Sequence, residues 1–336
     1  MKIIKGNPGR DSCADTIYKC GDFTYRLDLH WAKLPGGMSS ISISGGCCDK
    51  DDNLYLVTRS LDHPIIILDK DGNYVRSLGH MMFNLIHSAF VTKKNTLLCA
   101  DAGHHIIREL DIETGEIVRD LGNYCKPSDS GYDGGLWLQK VREGELPMNV
   151  LQYSQTMWSF ATNMTTIKRA APPFNRPTAA VVSSKGYIYC SDGYGNAAIH
   201  KFNSDGDLLK TWGGPGREPG KFVIVHSLWV DNLDRIWAVD REGSAVHVFD
   251  EDGNILMYCG ENLYQPTDLW ADDKYMYVGE RGGFTIFDMD FEIKAQLGYY
   301  QSPIQGHGLC GNSGSDIFDF TLTSSSPYNI LKFIRI

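Results

Sequence analysis

Short apolar runs, each closed by a cluster of turn residues, recur along nearly the whole chain. The clearest copy occupies residues 226–260, where a histidine opens the first run and Asp240 closes the second. A turn of sequence Asp-Glu-Asp-Gly separates the third run from the fourth. Four short strands with turns between them are typical of one antiparallel blade of a β-propeller. The four runs of this copy lie at 227–230, 235–239, 245–249 and 254–258.

Five copies of this unit are complete, and a sixth, at 307–336, has only three apolar runs. Residues 21–29 alternate between apolar and polar side chains and predict one isolated strand. That strand would complete the last blade, which joins the two ends of the chain and removes an open sheet edge. We therefore predict an all-β fold, a six-bladed β-propeller over residues 21–336, preceded by an arm at 1–20. The complete copies lie at 37–79, 87–122, 177–213, 226–260 and 266–298.

Composition agrees with this fold and excludes several classes of protein. The chain has 336 residues, of which 42% are hydrophobic and 35 are glycine. A net charge of -9 without a basic stripe argues against nucleic-acid binding. No apolar run approaches the roughly 18 residues of a membrane span, and the first residues lack the apolar region of a signal peptide. Nine cysteines without a CxxC pair indicate reduced thiols, and hence a cytoplasmic protein of undetermined oligomeric state.

The unit also places side chains in rings, because the first strand of every blade lines the channel of a propeller. The copies can be aligned on the acidic residue that ends the second run. Those residues are Asp101, Asp192, Asp240 and Glu280. Thirteen or fourteen residues earlier lies one channel position per blade, and the sixth copy opens directly on that position. In chain order these channel residues are His87, Thr178, His226, Thr267 and His307.

Three histidines on alternate blades would converge on the channel axis from directions about 120° apart, if the blades are evenly spaced. Such a set predicts a metal site with an open position, typical of catalytic zinc, although another divalent transition metal would fit. One histidine at the start of a strand is more often a packing or capping residue. Three in alternate register favour the metal, because crowded, unpaired imidazoles would be costly to bury.

The position after the acidic residue adds candidate anion-binding groups. It carries Arg59, Arg241 and Arg281, which would lie around one mouth of the channel and could hold a carboxylate. The alternative is that they are surface arginines paired with acids such as Glu242. Tyr194, between two glycines in the segment SDGYGN, is a candidate general base near the metal and the arginines. The alternative for Tyr194 is a packing role in a loop.

The segments SDGYGN, GKFVIVHSL and VDREG resemble the lyase domain of peptidylglycine amidation, the peptidyl-α-hydroxyglycine α-amidating lyase. The family is a six-bladed propeller of NHL repeats that holds zinc with three histidines. It cleaves an α-hydroxyglycine carbinolamide to an amide and glyoxylate. The resemblance implies the following roles in this chain: zinc ligands at His87, His226 and His307, a catalytic tyrosine at Tyr194, and active-site arginines at Arg59 and Arg241.

The chain departs from that family at two positions and in one insertion. Gly195 stands where the family has a disulfide cysteine, and Gly308 stands where it has an acid, so the resemblance does not extend to that disulfide or to a structural Ca²⁺. The insertion at 123–172 resembles instead uncharacterised bacterial NHL proteins, in segments such as GYDGG and PPFNRPT. It would form either a lid over the channel or an ordered surface excursion. Its candidate lid residues are Tyr124, Tyr132, Trp137, Met148, Tyr153, Met157, Trp158, Phe160 and Met164.

These observations favour a zinc-dependent lyase that cleaves the C–N bond of a small N-acyl α-hydroxyglycine-type carboxylate. The products would be an amide and a 2-oxo acid. One alternative is a metal-assisted hydrolase or lactonase in the same channel, although propeller lactonases favour carboxylate and amide ligands on calcium. Another alternative is a non-catalytic NHL module that binds a macromolecule.

Overall fold

The computed structural model describes residues 15–146, 162–298, 306–322 and 328–336. In these ranges the chain forms 25 strands and the helix α1 (Leu136–Arg142), and residues 162–164 are also helical. The strands are β1 (Ile17–Cys20), β2 (Phe23–Asp28), β3 (Ile43–Cys48), β4 (Leu54–Thr58), β5 (Ile65–Leu68), β6 (Tyr74–Leu78), β7 (Ile86–Val91), β8 (Thr96–Asp101), β9 (Ile106–Asp111), β10 (Ile117–Gly122), β11 (Pro177–Val182), β12 (Ile188–Asp192), β13 (Ala198–Phe202), β14 (Leu208–Gly213), β15 (Val225–Val230), β16 (Ile236–Asp240), β17 (Ala245–Phe249), β18 (Ile255–Cys259), β19 (Pro266–Ala271), β20 (Tyr275–Glu280), β21 (Gly283–Asp288), β22 (Ile293–Gly298), β23 (Gly308–Gly311), β24 (Ile317–Phe320) and β25 (Ile330–Arg335).

The strands form six antiparallel sheets, and each sheet is one blade of a propeller. Blades 1 to 5 have four strands each, β3–β6, β7–β10, β11–β14, β15–β18 and β19–β22. Blade 6 has five strands in the order β1-β2-β25-β24-β23. The first strand of each of blades 1 to 5 contacts the first strand of the next blade, and β23 contacts β3. These contacts close the ring and confirm the predicted six-bladed propeller.

The N-terminal strands complete blade 6. Strand β2 pairs with β25, where Leu27 lies opposite Phe333, and β1 pairs with the other edge of β2. The sequence predicted a single strand at 21–29 and an arm at 1–20, and β1 corrects the boundary of that arm. The physical reason is packing, because the ring of Tyr18 contacts the edge of Phe333 with centroids 5.4 Å apart. A turn at Gly21, with φ of 57°, joins the two strands.

The core lies between blades. The second and third strands are buried on both faces, whereas the fourth strands of blades 1 to 5 expose apolar side chains to solvent. Buried residues form six clusters, one at each of the six blade interfaces. At the interface of blades 4 and 5, for example, Trp237 packs on Phe287 with ring centroids 5.9 Å apart. Burial of apolar surface on both sides of every sheet therefore holds adjacent blades together.

The acidic residue at the end of the second strand fixes the segment that leads into the first strand. Asp240 accepts hydrogen bonds from the backbone N–H groups of Val223 (2.9 Å) and Ile224 (2.7 Å). Asp101 accepts the equivalent bond from Leu85 (3.0 Å) in blade 2. In both blades the channel histidine follows the clamped residue by two positions. The acid used to align the sequence units thus also sets the position of the channel residue.

The insertion is described at residues 123–146 and 162–172. Its helix α1 is short, and its predicted lid residues Met148, Tyr153, Met157, Trp158 and Phe160 lie outside the described residues. Within the described ranges, no helix has the length and hydropathy that a membrane crossing requires.

Deletion of residues 1–29 is expected to expose the edge of β25 and cause aggregation, because β2 carries the buried residues Tyr25 and Leu27. Size-exclusion chromatography and thermal melting would measure this. A deletion of residues 1–14 is the matched control, since it keeps both N-terminal strands, and it should stay monodisperse. A soluble 1–29 deletion with unchanged melting would show that these strands do not secure the ring.

Candidate metal centre and active site

Three imidazole rings meet on the channel axis. His87 and His226 lie near the starts of β7 and β15, and His307 directly precedes β23. Their ring centroids are 4.6, 5.0 and 5.1 Å apart, close to an equilateral triangle. One nitrogen from each ring lies within 4.8 Å of the other two. The structure thus brings together the three histidines that the sequence singled out, from alternate blades.

The other nitrogen of each ring bonds to the backbone of the following blade. Each Nδ1 lies 2.6–2.7 Å from a carbonyl oxygen. A carbonyl only accepts, so each Nδ1 carries the proton and each Nε2 keeps its lone pair. The pairs are His87 with Thr178, His226 with Thr267, and His307 with Ser44.

Burial keeps these imidazoles neutral. It lowers the pKa of His307 to about 3, and the positive charges of Arg59 and Arg241 act in the same direction. The pKa values of His87 and His226 are also well below the usual range, again mainly because of burial. A neutral imidazole is the form that binds a metal ion, so the set needs no deprotonation near neutral pH.

The donor set fits a divalent transition metal. Three nitrogens, on the buried His87 and His226 and the partly buried His307, offer lone pairs, and the hydroxyl of Tyr194 brings one proton among them. That proton can serve only one nitrogen, and a cation would satisfy the lone pairs that remain. Imidazole ligands suit zinc and related ions, and three histidines with a fourth open position are typical of catalytic zinc sites.

Tyr194 projects from the β12–β13 loop onto the histidines. Its hydroxyl oxygen lies 2.9 Å from Nε2 of His87 and 2.7 Å from Nε2 of His226, and Nη1 of Arg241 donates to it at 3.2 Å. The preceding glycine allows this approach, because a Cβ on Gly193 would lie 2.1 Å from the carbonyl oxygen of Val225. The phenol is buried and is held by three neighbours.

The two predicted active-site arginines have different partners. Arg241 donates from Nε to both carboxylate oxygens of Glu242, at 2.8 and 3.0 Å, in addition to its bond to the tyrosine. It therefore forms the acid pair that the sequence offered as an alternative to an open anion clamp. Arg59 donates from Nη1 to the carbonyl of Ile86 at 2.6 Å, and no carboxylate in the described ranges pairs with it. Burial lowers the pKa of Arg59, which remains a cation.

A cavity of about 1320 Å³ opens onto this centre. Its polar lining includes Arg59, Tyr194, Arg241, Arg281 and His307. Its apolar wall includes residues from the loops before β7 and β15 and from the insertion. These apolar residues are Leu85, Met164, Ile167, Phe222 and Ile224. The insertion therefore contributes to the wall of the cavity through its described part.

Ser44 completes the ring and was not among the residues that the sequence singled out. It occupies the channel position of blade 1, where its carbonyl accepts the bond from His307. The signal was present, because Ser44 lies fourteen residues before Thr58, the last residue of β4. Blade 1 ends that strand with threonine instead of an acid, so an alignment on acidic residues passes over it.

The chain has distant relatives among curated proteins, and no family model matches it. It is 24% identical over 271 residues to human NHL repeat-containing protein 3, covering 76% of this chain and 67% of that protein. It is 30% identical over 320 residues to rat peptidylglycine alpha-amidating monooxygenase, covering 85% of this chain but 29% of the rat protein. It is 22% identical over 211 residues to a probable peptidyl-alpha-hydroxyglycine alpha-amidating lyase of Caenorhabditis elegans, covering 61% of this chain and 49% of that protein.

Solved structures share the fold at lower identity. A gluconolactonase from Xanthomonas campestris has a TM-score of 0.59 at 13% identity, covering 93% of this chain and 90% of that one. Virginiamycin B lyase from Staphylococcus aureus has a TM-score of 0.56 at 11% identity, covering 93% of this chain and 100% of that one. Relatives and structural neighbours thus include enzymes. The chain is a six-bladed β-propeller homologous, at low identity, to NHL-repeat proteins and to peptidyl-alpha-hydroxyglycine alpha-amidating lyases.

Proposed function

We propose that this protein is a metal-dependent lyase, with zinc as its metal. It would cleave the C–N bond of a small N-acyl α-hydroxyglycine-type substrate to an amide and a 2-oxo acid. The observation that carries this proposal is the convergence of Tyr194 on the histidine ring inside a cavity that also contains Arg59. Relatedness to the amidating lyases supports the reaction class.

Arg59 is the group best suited to bind the substrate carboxylate. It lines the cavity, is partly buried, and has no acid partner among the described residues. A carboxylate on this guanidinium would form charge-assisted hydrogen bonds in a poorly hydrated place, where they are stronger than in water. Arg241 instead holds the oxygen of Tyr194 and is itself held by Glu242. Arg59 would therefore bind the substrate carboxylate, and Arg241 would position Tyr194.

The reaction moves one proton from oxygen to nitrogen. The substrate hydroxyl loses its proton, its C–O bond becomes a carbonyl, the C–N bond breaks, and the leaving amide nitrogen gains a proton. Tyr194 is the candidate for this transfer, because its oxygen lies at the histidine ring and faces the cavity. The ionised oxygen of Tyr194, which accepts from Nη1 of Arg241, would act as general base and take the hydroxyl proton, and the resulting phenol could then give that proton to the leaving nitrogen.

His87, His226 and His307 would hold the metal ion. When bound there, the ion would supply Lewis-acid polarisation of an oxygen. Donation from each Nδ1 to a carbonyl orients the ring, and such outer bonds tune metal ligands. The hydrolase or lactonase alternative would use the same ion without the tyrosine. The interaction-module alternative gives no reason for neutral imidazoles gathered beneath a large cavity.

His226→Ala should lose the metal and keep the fold, because apolar clusters hold blade 4 to its neighbours and the imidazole adds only one hydrogen bond to blade 5. Elemental analysis of the purified protein should find about one divalent ion per chain in the wild type, bound by three histidines. His80→Ala, which removes an exposed histidine far from the ring, is the control and should keep the ion. Wild-type metal content in His226→Ala would refute this ligand set.

Tyr194→Phe should retain the metal and lose about 10²–10⁴-fold in turnover, the usual cost of losing a general base. The assay would follow glyoxylate release from small N-acyl α-hydroxyglycines. Tyr264→Phe is the control, since Tyr264 lines the same cavity but makes no bond to the histidine ring in the described contacts. Full turnover by Tyr194→Phe at normal metal content would move the hydrolase alternative ahead of the lyase.

Arg59→Ala should raise KM and lower kcat together, because the carboxylate is held in both the ground state and the transition state. Arg59→Lys should recover only part of the loss, since an ammonium cannot form the bidentate contact. Steady-state kinetics of both variants would measure this. Arg76→Ala, on the outer strand β6, is the control for loss of a positive charge. An unchanged KM in Arg59→Ala would place the carboxylate elsewhere.

A further inference from the structure

The loop that carries Tyr194 is held from outside the propeller by the insertion and the residues that follow it. We use the name Tyr194 loop for residues 193–197, which join β12 to β13. Ser130 is fully buried, and its hydroxyl donates to the carbonyl of Gly195. The same hydroxyl accepts from Nδ2 of Asn175 (3.3 Å) and from the backbone N–H of Tyr132 (3.2 Å). Its donor direction is therefore fixed toward the Tyr194 loop.

A second contact fixes the other end of this loop. The backbone N–H of Ala171 donates to Oδ1 of Asn196 at 3.2 Å, and Nδ2 of Asn196 donates back to the carbonyl of Ala171 at 2.6 Å. Nδ2 also donates to Asp192 at 2.8 Å. Asn196 is fully buried, so these bonds are shielded from competition with water.

Steric fit leaves the Tyr194 loop little freedom. A Cβ on Gly195 would lie 2.3 Å from Oδ1 of Asn175, so the insertion side of the loop has no room for any side chain. On the opposite side Gly193 lies against Val225 of blade 4. Met164 and Ile167 of the insertion belong to the same buried cluster as Tyr194. The loop is thus confined between the insertion and a blade.

We propose that Ser130 is a positioning residue for Tyr194, and that the insertion serves as a brace that sets the location of the phenol. The importance of this location rests on the function proposed above for Tyr194. The phenol oxygen keeps three contacts of 2.7–3.2 Å only while the loop holds its place. Displacement of a reacting group by about 1 Å can cost about 10²-fold in rate.

Ser130→Ala tests the brace, and Thr166→Val is its matched control. The hydroxyl of Thr166 donates to the carbonyl of Asn163 and accepts from the backbone N–H of Asp133, so its bonds stay within the insertion. In the metal-loaded protein, Ser130→Ala should speed amide hydrogen exchange in the Tyr194 loop by about tenfold or more, with exchange in β16 unchanged. Thr166→Val should leave exchange in the Tyr194 loop at the wild-type rate.

Steady-state kinetics distinguish a positioning role of Ser130 from a general effect on the stability of the protein. Ser130→Ala should lower kcat by about ten- to a hundredfold at nearly constant KM and metal content. In a Tyr194→Phe background the same substitution should lower kcat no further, because the positioned group is gone. Ser130→Cys keeps the packing with a weak donor and should fall between wild type and Ser130→Ala, which provides a test if the alanine variant fails to fold.

Unchanged exchange in the Tyr194 loop of Ser130→Ala or of Ser130→Cys would overturn the brace. So would an equal loss of kcat with and without Tyr194, which would mean that Ser130 acts on the protein generally. Full turnover by Tyr194→Phe would defeat the proposed function instead, and the exchange result would still decide whether the insertion holds the loop.

Discussion

Each histidine of the centre donates a hydrogen bond to the backbone of the next blade, and the geometry of the whole site follows from these three bonds. The blades that provide the carbonyl carry a small hydroxyl residue at the ring position, which leaves the axis to the imidazoles. The hydroxyl of Thr178 is hydrogen-bonded to the hydroxyl of Ser191 and to the carbonyl of Val225, and it does not belong to the group of possible metal ligands. Large and small residues thus alternate, and six blades produce a centre with threefold arrangement. The hydrogen bonds that link neighbouring blades near the axis therefore also orient the imidazole rings.

Charge adds a second constraint on the centre. The guanidinium groups of the buried Arg241 and the partly buried Arg59 discourage protonation of the histidines and so keep their nitrogens available. Buried cations are themselves costly without partners. Arg241 meets this cost with Glu242, but Arg59 has only a backbone carbonyl within the described contacts. An anion in the cavity would relieve that imbalance, which is why we propose a carboxylate on the substrate.

The sequence predicted the parts of this molecule that repeat. The regular spacing of apolar runs predicted the blades. The alternation of His87 and His226 with threonines predicted the ring of channel residues. Both predictions were possible because these features repeat at a regular interval along the sequence. Strand β1 was missed, since a four-residue strand leaves almost no periodic signal. The pairing of Arg241 with Glu242 could be offered only as an alternative, because adjacent residues pair or diverge according to side-chain rotamers. The contact of Ser130 with Gly195 had no sequence signal at all, since it joins an insertion to a loop 65 residues away.

Closure of the ring has a consequence for how the protein folds. The bond between His307 and Ser44 joins residues that are 263 positions apart, and β2 pairs with β25 over a similar separation. Neither contact can form until the last blade has emerged from the ribosome. Until then, the face of blade 1 that packs on blade 6 stays exposed to solvent. Long-range pairings of this kind slow folding and prolong the exposure of unpaired strand edges. His307 therefore joins His87 and His226 only after blades 1 to 5 have been synthesised, so the group of three histidines is completed late in folding.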